Sequence, residues 1–329
     1  MRPAMRALAS TAGRQVGPDQ IGLGLGVALL GLGTAALLLR ATSARDRPAR
    51  RRHVPVKGTV GACRSLNSAS GILAFSVLAD SAIEHYRGAF VNKAMYTPLA
   101  VSTLALAVSL HGLADHRESR HPVRYGTYVA AMLTGIVGTL FHVYNVLKRP
   151  GGLSWQNLFY AAPLGAPAAL LLSGLLGFVA ERARDGKPGT RPYVFGIPTG
   201  RAMAGVAALG LLGTTGEAGL LHFRGAYHNP FMLLPVTLPP VGALLLVGAA
   251  LGAKARERPF TRWWLRLTAA MGLAGVGFHG YGIGRNMGGW RNWSQNVLNG
   301  PPLPAPPSFS GLSLAGLAAL TLLQDQPHA

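Results

Sequence analysis

Long apolar runs recur along the 329-residue chain and constrain its fold more than any other feature. About 20 residues of helix, at about 1.5 Å per residue, span the roughly 30 Å hydrocarbon core of a bilayer. Only 13% of the residues are charged, and the connections are too short for a separate soluble domain. The sequence therefore predicts an all-α, multi-pass membrane protein with about nine transmembrane helices, at 21–39, 69–86, 94–112, 126–147, 158–180, 202–221, 231–252, 264–282 and 309–324.

The basic residues alternate between connections. Four connections hold 21 Lys and Arg, at 40–68, 112–125, 181–201 and 253–266, whereas the four intervening ones hold seven. Connections rich in Lys and Arg stay in the cytoplasm, so the N-terminus is predicted outside and the C-terminus inside a bacterial-type cytoplasmic (inner) membrane. The net charge of +20 is then explained by anionic lipid, and no nucleic-acid partner is expected.

The N-terminal region stands apart from the rest of the chain. The apolar run 21–39 is either an uncleaved anchor or a signal peptide, and its length favours the anchor. Cys63, the only cysteine, is predicted in the cytoplasmic loop that follows this run. A single cysteine excludes an internal disulfide and covalent attachment of c-type haem.

The rest of the chain contains an internal duplication. Residues 64–144 align with 201–281 at a fixed offset of 137, with 14 of 81 pairs identical. The shared residues are mainly polar residues, Gly and Pro, as in HYRGAFVNKAMYTP from His85 and HFRGAYHNPFMLLP from His222. We therefore predict an N-terminal region at 1–63 and two four-helix repeats, at 64–191 and 192–329. An even number of helices gives both repeats the same orientation in the membrane.

Four histidines occupy matched positions in the two repeats: His85 and His142 in the first, His222 and His279 in the second. In each repeat the two histidines lie on separate helices, near the outer face. Axial ligation of a b-type haem requires such a pair, and bundle cores are where these sites are built. The pattern predicts one haem b per repeat in a redox protein that performs electron transfer or quinol or haem-modifying chemistry. Quinone or a redox protein at the outer face would be its partner.

Other matched residues have predicted roles around the histidines. Arg87 and Arg224 are candidates for pairing with haem propionates. Asp80 and Glu217, ionisable groups inside a span, are candidates for managing protons. Six matched amides are predicted to bond a ligand or the loop backbone: Asn92, Asn229, Gln156, Gln295, Asn157 and Asn296. Gly88 and Gly225 are predicted to end their helices in a left-handed conformation.

Several alternatives use the same residues. His85, His142 and Asp80 form a two-histidine, one-carboxylate set, which is typical of non-haem iron and some zinc sites. A ligand-binding membrane enzyme, a small-solute transporter and a membrane scaffold are further alternatives. The remaining histidines have no counterpart in the other repeat and are predicted at the surface: His53, His111, His116, His121, His228 and His328.

In architecture alone, tandem four-helix halves that each carry a histidine pair are similar to haem A synthase. The resemblance covers the plan of residues 64–324 and no sequence motif, so it implies no residue roles.

Overall fold

The computed structural model describes residues 57–160, 163–186, 192–252 and 258–324. The predicted span 21–39 lies outside these residues, as do His53 and His328. The described chain is helical apart from turns, connections and a small hairpin of β1 (Tyr193–Val194) and β2 (Ile197–Pro198).

The described residues form eight long helices and two short ones. They are α1 (Lys57–Arg87), α2 (Thr97–Ala114), α3 (Pro122–Leu147), α4 (Trp155–Tyr160), α5 (Gly165–Arg184), α6 (Thr199–Arg224), α7 (Leu234–Ala250), α8 (Arg258–Arg285), α9 (Trp293–Asn299) and α10 (Pro307–Gln324). 3₁₀ turns at Lys93–Tyr96, Pro230–Leu233 and Gly289–Asn292 precede α2, α7 and α9.

Seven of the long helices are long and apolar enough to cross a bilayer. The eighth, α8, has the length but is less apolar, because Arg262, Arg266 and several Trp and Gly residues interrupt its sequence. These helices confirm the predicted all-α architecture of a multi-pass membrane protein.

The helices follow one another in the same order twice, once in residues 57–184 (the first half) and once in residues 199–324 (the second half). In the first half α1, α2, α3 and α5 pack as a ring of neighbours, and in the second half α6, α7, α8 and α10 do the same. The halves meet where α1 packs on α10 and α5 on α6. Consequently α1 faces α3, and α6 faces α8, across the centre of a bundle.

Matched glycines allow close helix packing in both halves. A Cβ on Gly135 of α3 would overlap the backbone of Leu171 in α5, and a Cβ on Gly272 of α8 would overlap Ser310 in α10. Small residues at such crossings let membrane helices approach until their backbones touch.

Two predicted boundaries were wrong. Helix α1 begins at Lys57 rather than near residue 69, so Cys63 is buried in a helix and not in a loop. The predicted span 158–180 is divided into α4 and α5, since Pro163 between them has no N–H to continue a helix.

The prediction for Gly88 and Gly225 was also wrong. The left-handed residues come next in the chain, at Ala89 and Phe90 (φ 53° and 47°) and at Ala226 and Tyr227 (φ 55° and 47°). At the two earlier positions an added Cβ would lie 3.0 Å from Met95 Cε and 3.1 Å from Met232 Cε, the ends of flexible side chains, so a small shift of each methionine would make room for it.

Candidate functional site

The four matched histidines lie at one end of the molecule, which we call the histidine end. His85 and His222 lie in the last turns of α1 and α6. Each ring bonds the 3₁₀ turn that follows its own helix: His85 Nδ1 lies 2.6 Å from Met95 O, and His222 Nδ1 lies 2.8 Å from Met232 O. The matched sequences therefore produce the same local structure in both halves.

His142 and His279 lie one to two turns before the ends of α3 and α8. Their partners are carbonyls in the proline-rich segments that precede α5 and α10. His142 Nδ1 lies 2.5 Å from Pro163 O, and His279 Nδ1 lies 2.7 Å from Pro302 O. Pro163 and Pro302 also belong to the matched residues of the two halves.

These four bonds fix the tautomer of every ring. A carbonyl oxygen only accepts, so each Nδ1 must carry the hydrogen and donate it. In a neutral imidazole the lone pair is then on Nε2, the atom that metals bind. Histidine ligands in metal sites show this arrangement, with the second ring nitrogen donating to a carbonyl or carboxylate.

A ring contact joins the two histidines of the second half. The ring centres of His222 and His279 are 6.5 Å apart, with an angle of 70° between the ring planes. His85 lies close enough to His142 for an electrostatic interaction. Two imidazoles that bind one metal through Nε2, at about 2 Å each, have ring centres about 6 Å apart. The second-half pair is therefore spaced as shared ligation requires.

Left-handed aromatic residues hold the first ring of each pair. Phe90 meets His85 edge-on at 6.2 Å between ring centres, and Tyr227 meets His222 at the same distance. The strained backbone at Phe90 and Tyr227 thus places an aromatic side chain against the histidine in both halves.

The matched asparagines bond the backbone of their own connections. Asn92 Oδ1 accepts from Ala94 N, and Asn229 Oδ1 accepts from Phe231 N, so these side chains cap 3₁₀ turns. Asn157 donates to two carbonyls of the connection before α4, and Asn296 does the same before α9. Gln156 and Gln295 are exposed.

The two matched arginines have different surroundings. Arg87 pairs with Glu84 at 2.8 Å, and both side chains are partly exposed. In the second half, Arg224 stacks on the ring of Tyr160 at 5.1 Å from the ring centre, a contact that joins the halves. An exposed ion pair such as Arg87–Glu84 contributes little and exchanges readily for another anion.

Asp80 and Glu217 lie close enough to each other for an electrostatic interaction between the halves. The charge of Glu217 acts on Asp80, and the Glu217 carboxylate also contacts the backbone N–H of Gly165, the first residue of α5. The position that corresponds to Gly165 in the second half is Pro304, which has no N–H to offer. Hence the two carboxylates form one mixed pair at the interface rather than two equivalent sites.

The two-histidine, one-carboxylate alternative is not assembled. Among the described residues, no group of three or more His, Cys, Asp and Glu side chains could hold a metal ion. Asp80 is therefore not gathered with His85 and His142, in keeping with the angle of about 140° that five helical residues put between side chains.

A second polar centre, which the sequence did not reveal, lies at the end opposite the histidines. We call it the distal cluster: Asp115, Arg124, Glu181 and Arg184. Arg124 is 1% exposed and donates to Glu181 at 2.9 Å and to Asp115 at 2.7 Å. The sequence assigned Arg124 and Arg184 to the basic connections between predicted helices. The acidic Glu181 at the end of an apolar run was the one available signal of burial.

Two histidines flank the distal cluster, which modifies their prediction as surface residues. His111 is exposed, but its Nδ1 accepts from Arg124 at 2.9 Å. The backbone N–H of His121 donates to Glu181, and its Nδ1 is buried. Burial alone would raise the pKa of Asp115, but the Arg117 N–H and the Arg124 guanidinium outweigh it and lower that pKa to about 2.

Neither a family model nor a curated protein nor a solved structure matches the chain.

Proposed function

We propose that the chain is an integral membrane redox protein of two tandem, like-oriented four-helix repeats. In this proposal each repeat binds one haem b near the extracytoplasmic face of a bacterial cytoplasmic membrane. His85 and His142 would hold the haem of the first repeat, and His222 and His279 would hold that of the second. Residues 21–39 add an anchor helix, with the N-terminus outside and the C-terminus inside.

The observation that carries the proposal is the common hydrogen bonding of the four histidines. Each Nδ1 donates to a carbonyl, at matched positions in both halves, and each Nε2 is left as the coordinating atom. His228 Nδ1 makes the same kind of bond to Gly225 O, so the bond alone does not identify a ligand, and the matched repetition in both halves carries the argument. Four identical arrangements on facing helices favour ligation over packing.

Bound haem would supply one-electron chemistry at the outer face. The chain's own residues would set its environment. Arg87 and Arg224 are positioned to hold propionates as bidentate donors, since the present partner of Arg87 is an exposed carboxylate. Asp80 and Glu217 are ionisable residues within α1 and α6 and would be the groups that take up protons. Proton uptake with reduction, as quinol chemistry requires, would use this pair.

The test is an optical spectrum of protein purified after expression with added haem. We expect a Soret band and a reduced-minus-oxidised difference spectrum. His279→Ala should remove the contribution of one site, and His228→Ala should leave the spectrum unchanged. His228 is the matched control because it lies in the same region, bonds only Gly225 O and has no counterpart in the first half.

A colourless preparation with stoichiometric iron, zinc or copper would contradict haem binding and favour the metal-binding alternative. A preparation with neither chromophore nor metal would contradict both and leave transport or a scaffold role.

A further inference from the structure

The connections at the histidine end have a one-sided charge. Residues 86–97, 147–165, 224–234 and 285–307 contain seven Lys and Arg and no Asp or Glu. All seven basic residues are exposed: Arg87, Lys93, Lys148, Arg149, Arg224, Arg285 and Arg291. In the proposed orientation this is the translocated side, where Lys and Arg are ordinarily sparse. The net positive charge of these connections therefore calls for an explanation.

The basic residues border the histidine pairs. Arg87 and Arg224 follow the first histidine of each pair by two residues. Lys148 and Arg285 follow the second histidine of each pair by six. Basic residues therefore lie beside both histidine pairs.

Aromatic rings hold several of these cations in place. Lys148 lies 5.4 Å from the ring centre of Tyr144, and Arg285 lies 5.7 Å from that of Tyr281. Tyr144 and Tyr281 are matched residues, so the two halves present a cation in the same way. Fixing a cation before a partner arrives lowers the entropy cost of association.

Exposed aromatic residues lie among the charges. Trp155, Trp290 and Trp293 are 70%, 54% and 63% exposed, on or beside the short helices α4 and α9. Trp and Arg together are the residues that contribute most to protein–protein interfaces. The connections that carry these Trp residues begin at the ends of α3 and α8. They therefore lie at the end of the bundle, whereas a bilayer contacts its sides.

We infer that the histidine end is a docking surface for an acidic, soluble electron-transfer protein. The inference rests on the proposed function, because a docked partner would lie directly over the proposed redox sites. The net positive charge of these connections, which the Arg87–Glu84 ion pair reduces, steers an acidic partner and repels a basic one.

The test uses nanodiscs of phosphatidylcholine alone, so that the lipid carries no net charge. The probes are flavodoxin, an acidic electron carrier, and cytochrome c, a basic one, with binding followed by interferometry. We expect flavodoxin to bind and its Kd to rise at least about tenfold between 20 and 200 mM NaCl. The combined variant Lys148→Glu, Arg149→Glu, Arg285→Glu, Arg291→Glu should weaken binding by a similar factor. Arg117→Glu, an exposed change at the opposite end, should have no effect.

Equal binding of the two probes, or binding of neither, would overturn the inference. So would co-purification of phosphatidylglycerol that the combined variant abolishes, if flavodoxin does not bind, since the surface would then serve lipid. Binding requires no haem, which separates the two proposals. A colourless protein that binds flavodoxin would refute the haem proposal and retain the docking surface.

Discussion

The two halves of the molecule agree at one end and differ at the other. At the histidine end, each half has the same carbonyl partners for its two rings and the same left-handed aromatic residue. At the opposite end the first half has buried polar networks where the second half is mostly apolar. The residues that correspond to Asp115, Arg124, Glu181 and Arg184 are Gly252, Thr261, Leu320 and Leu323.

The difference continues towards the middle of the bundle. In the first half Tyr128 donates to Asn67 at 2.6 Å and bonds Ser109 at 3.1 Å, and Ser109 bonds Ser70. The corresponding second-half residues are Leu265, Ala204, Leu246 and Ala207, all of which are buried. A helical bundle of this plan therefore folds with either kind of interior. The interior away from the histidines differs between the two halves, whereas the hydrogen bonding of the histidines is the same in both.

The largest expected effect comes from removing the charge at the centre of the distal cluster. Arg124→Leu removes the closest ion-pair partner of the buried Glu181, which keeps only Arg184 at 3.7 Å, and should lower the free energy of unfolding by about 3–5 kcal/mol. The matched change Thr261→Val in the second half should cost about 1 kcal/mol or less. Unfolding by SDS in mixed micelles measures both, and equal losses would remove the proposed contrast between the interiors.

A smaller effect, equal in the two halves, is expected at the matched glycines. Gly135→Ala and Gly272→Ala should each cost about 1–3 kcal/mol, because the new methyl group overlaps the backbone of the neighbouring helix. Gly126→Ala and Gly277→Ala are the controls, since their methyl groups would meet nothing within 4 Å. The same unfolding assay applies, and a loss in the controls as large as in the test variants would contradict this packing.

The polar network in the first half should contribute less than the charges. Tyr128→Phe removes a hydroxyl with two partners and should cost about 1 kcal/mol. Tyr144→Phe, at an exposed tyrosine, is the control and should be neutral. If Tyr128→Phe is also neutral, the network fills space and does not stabilise the first half.

A pH dependence of stability is expected at the distal cluster of the first half. Because the folded pKa of Asp115 is lowered to about 2, its contribution is fully present above its unfolded pKa of about 4 and is lost as pH falls towards 2. The difference in stability between wild type and Asp115→Asn should therefore be constant from pH 8 to 5 and shrink below pH 4. Thermal unfolding across this range measures it, and a difference that grows on acidification would contradict the assigned ion pair.

The sequence predicted the parts that depend on hydropathy and duplication. Apolar runs placed every long helix after residue 57, and the self-alignment selected the histidines that the structure brings together in pairs. It could not place Arg124 and Arg184, because a basic residue near the end of a span looks the same whether it faces lipid headgroups or a buried carboxylate. It also misassigned Gly88, since the left-handed conformation falls on Ala89 and Phe90, residue types that do not signal positive φ in a sequence.

The number of haem groups per chain tests the central claim, that each half has its own histidine pair, most directly. We expect pyridine haemochrome assay of purified protein to give two haem b per chain, one in His142→Ala and one in His279→Ala, and none in the double variant. Two haem groups retained in both single variants, or none in the wild type, would contradict the claim.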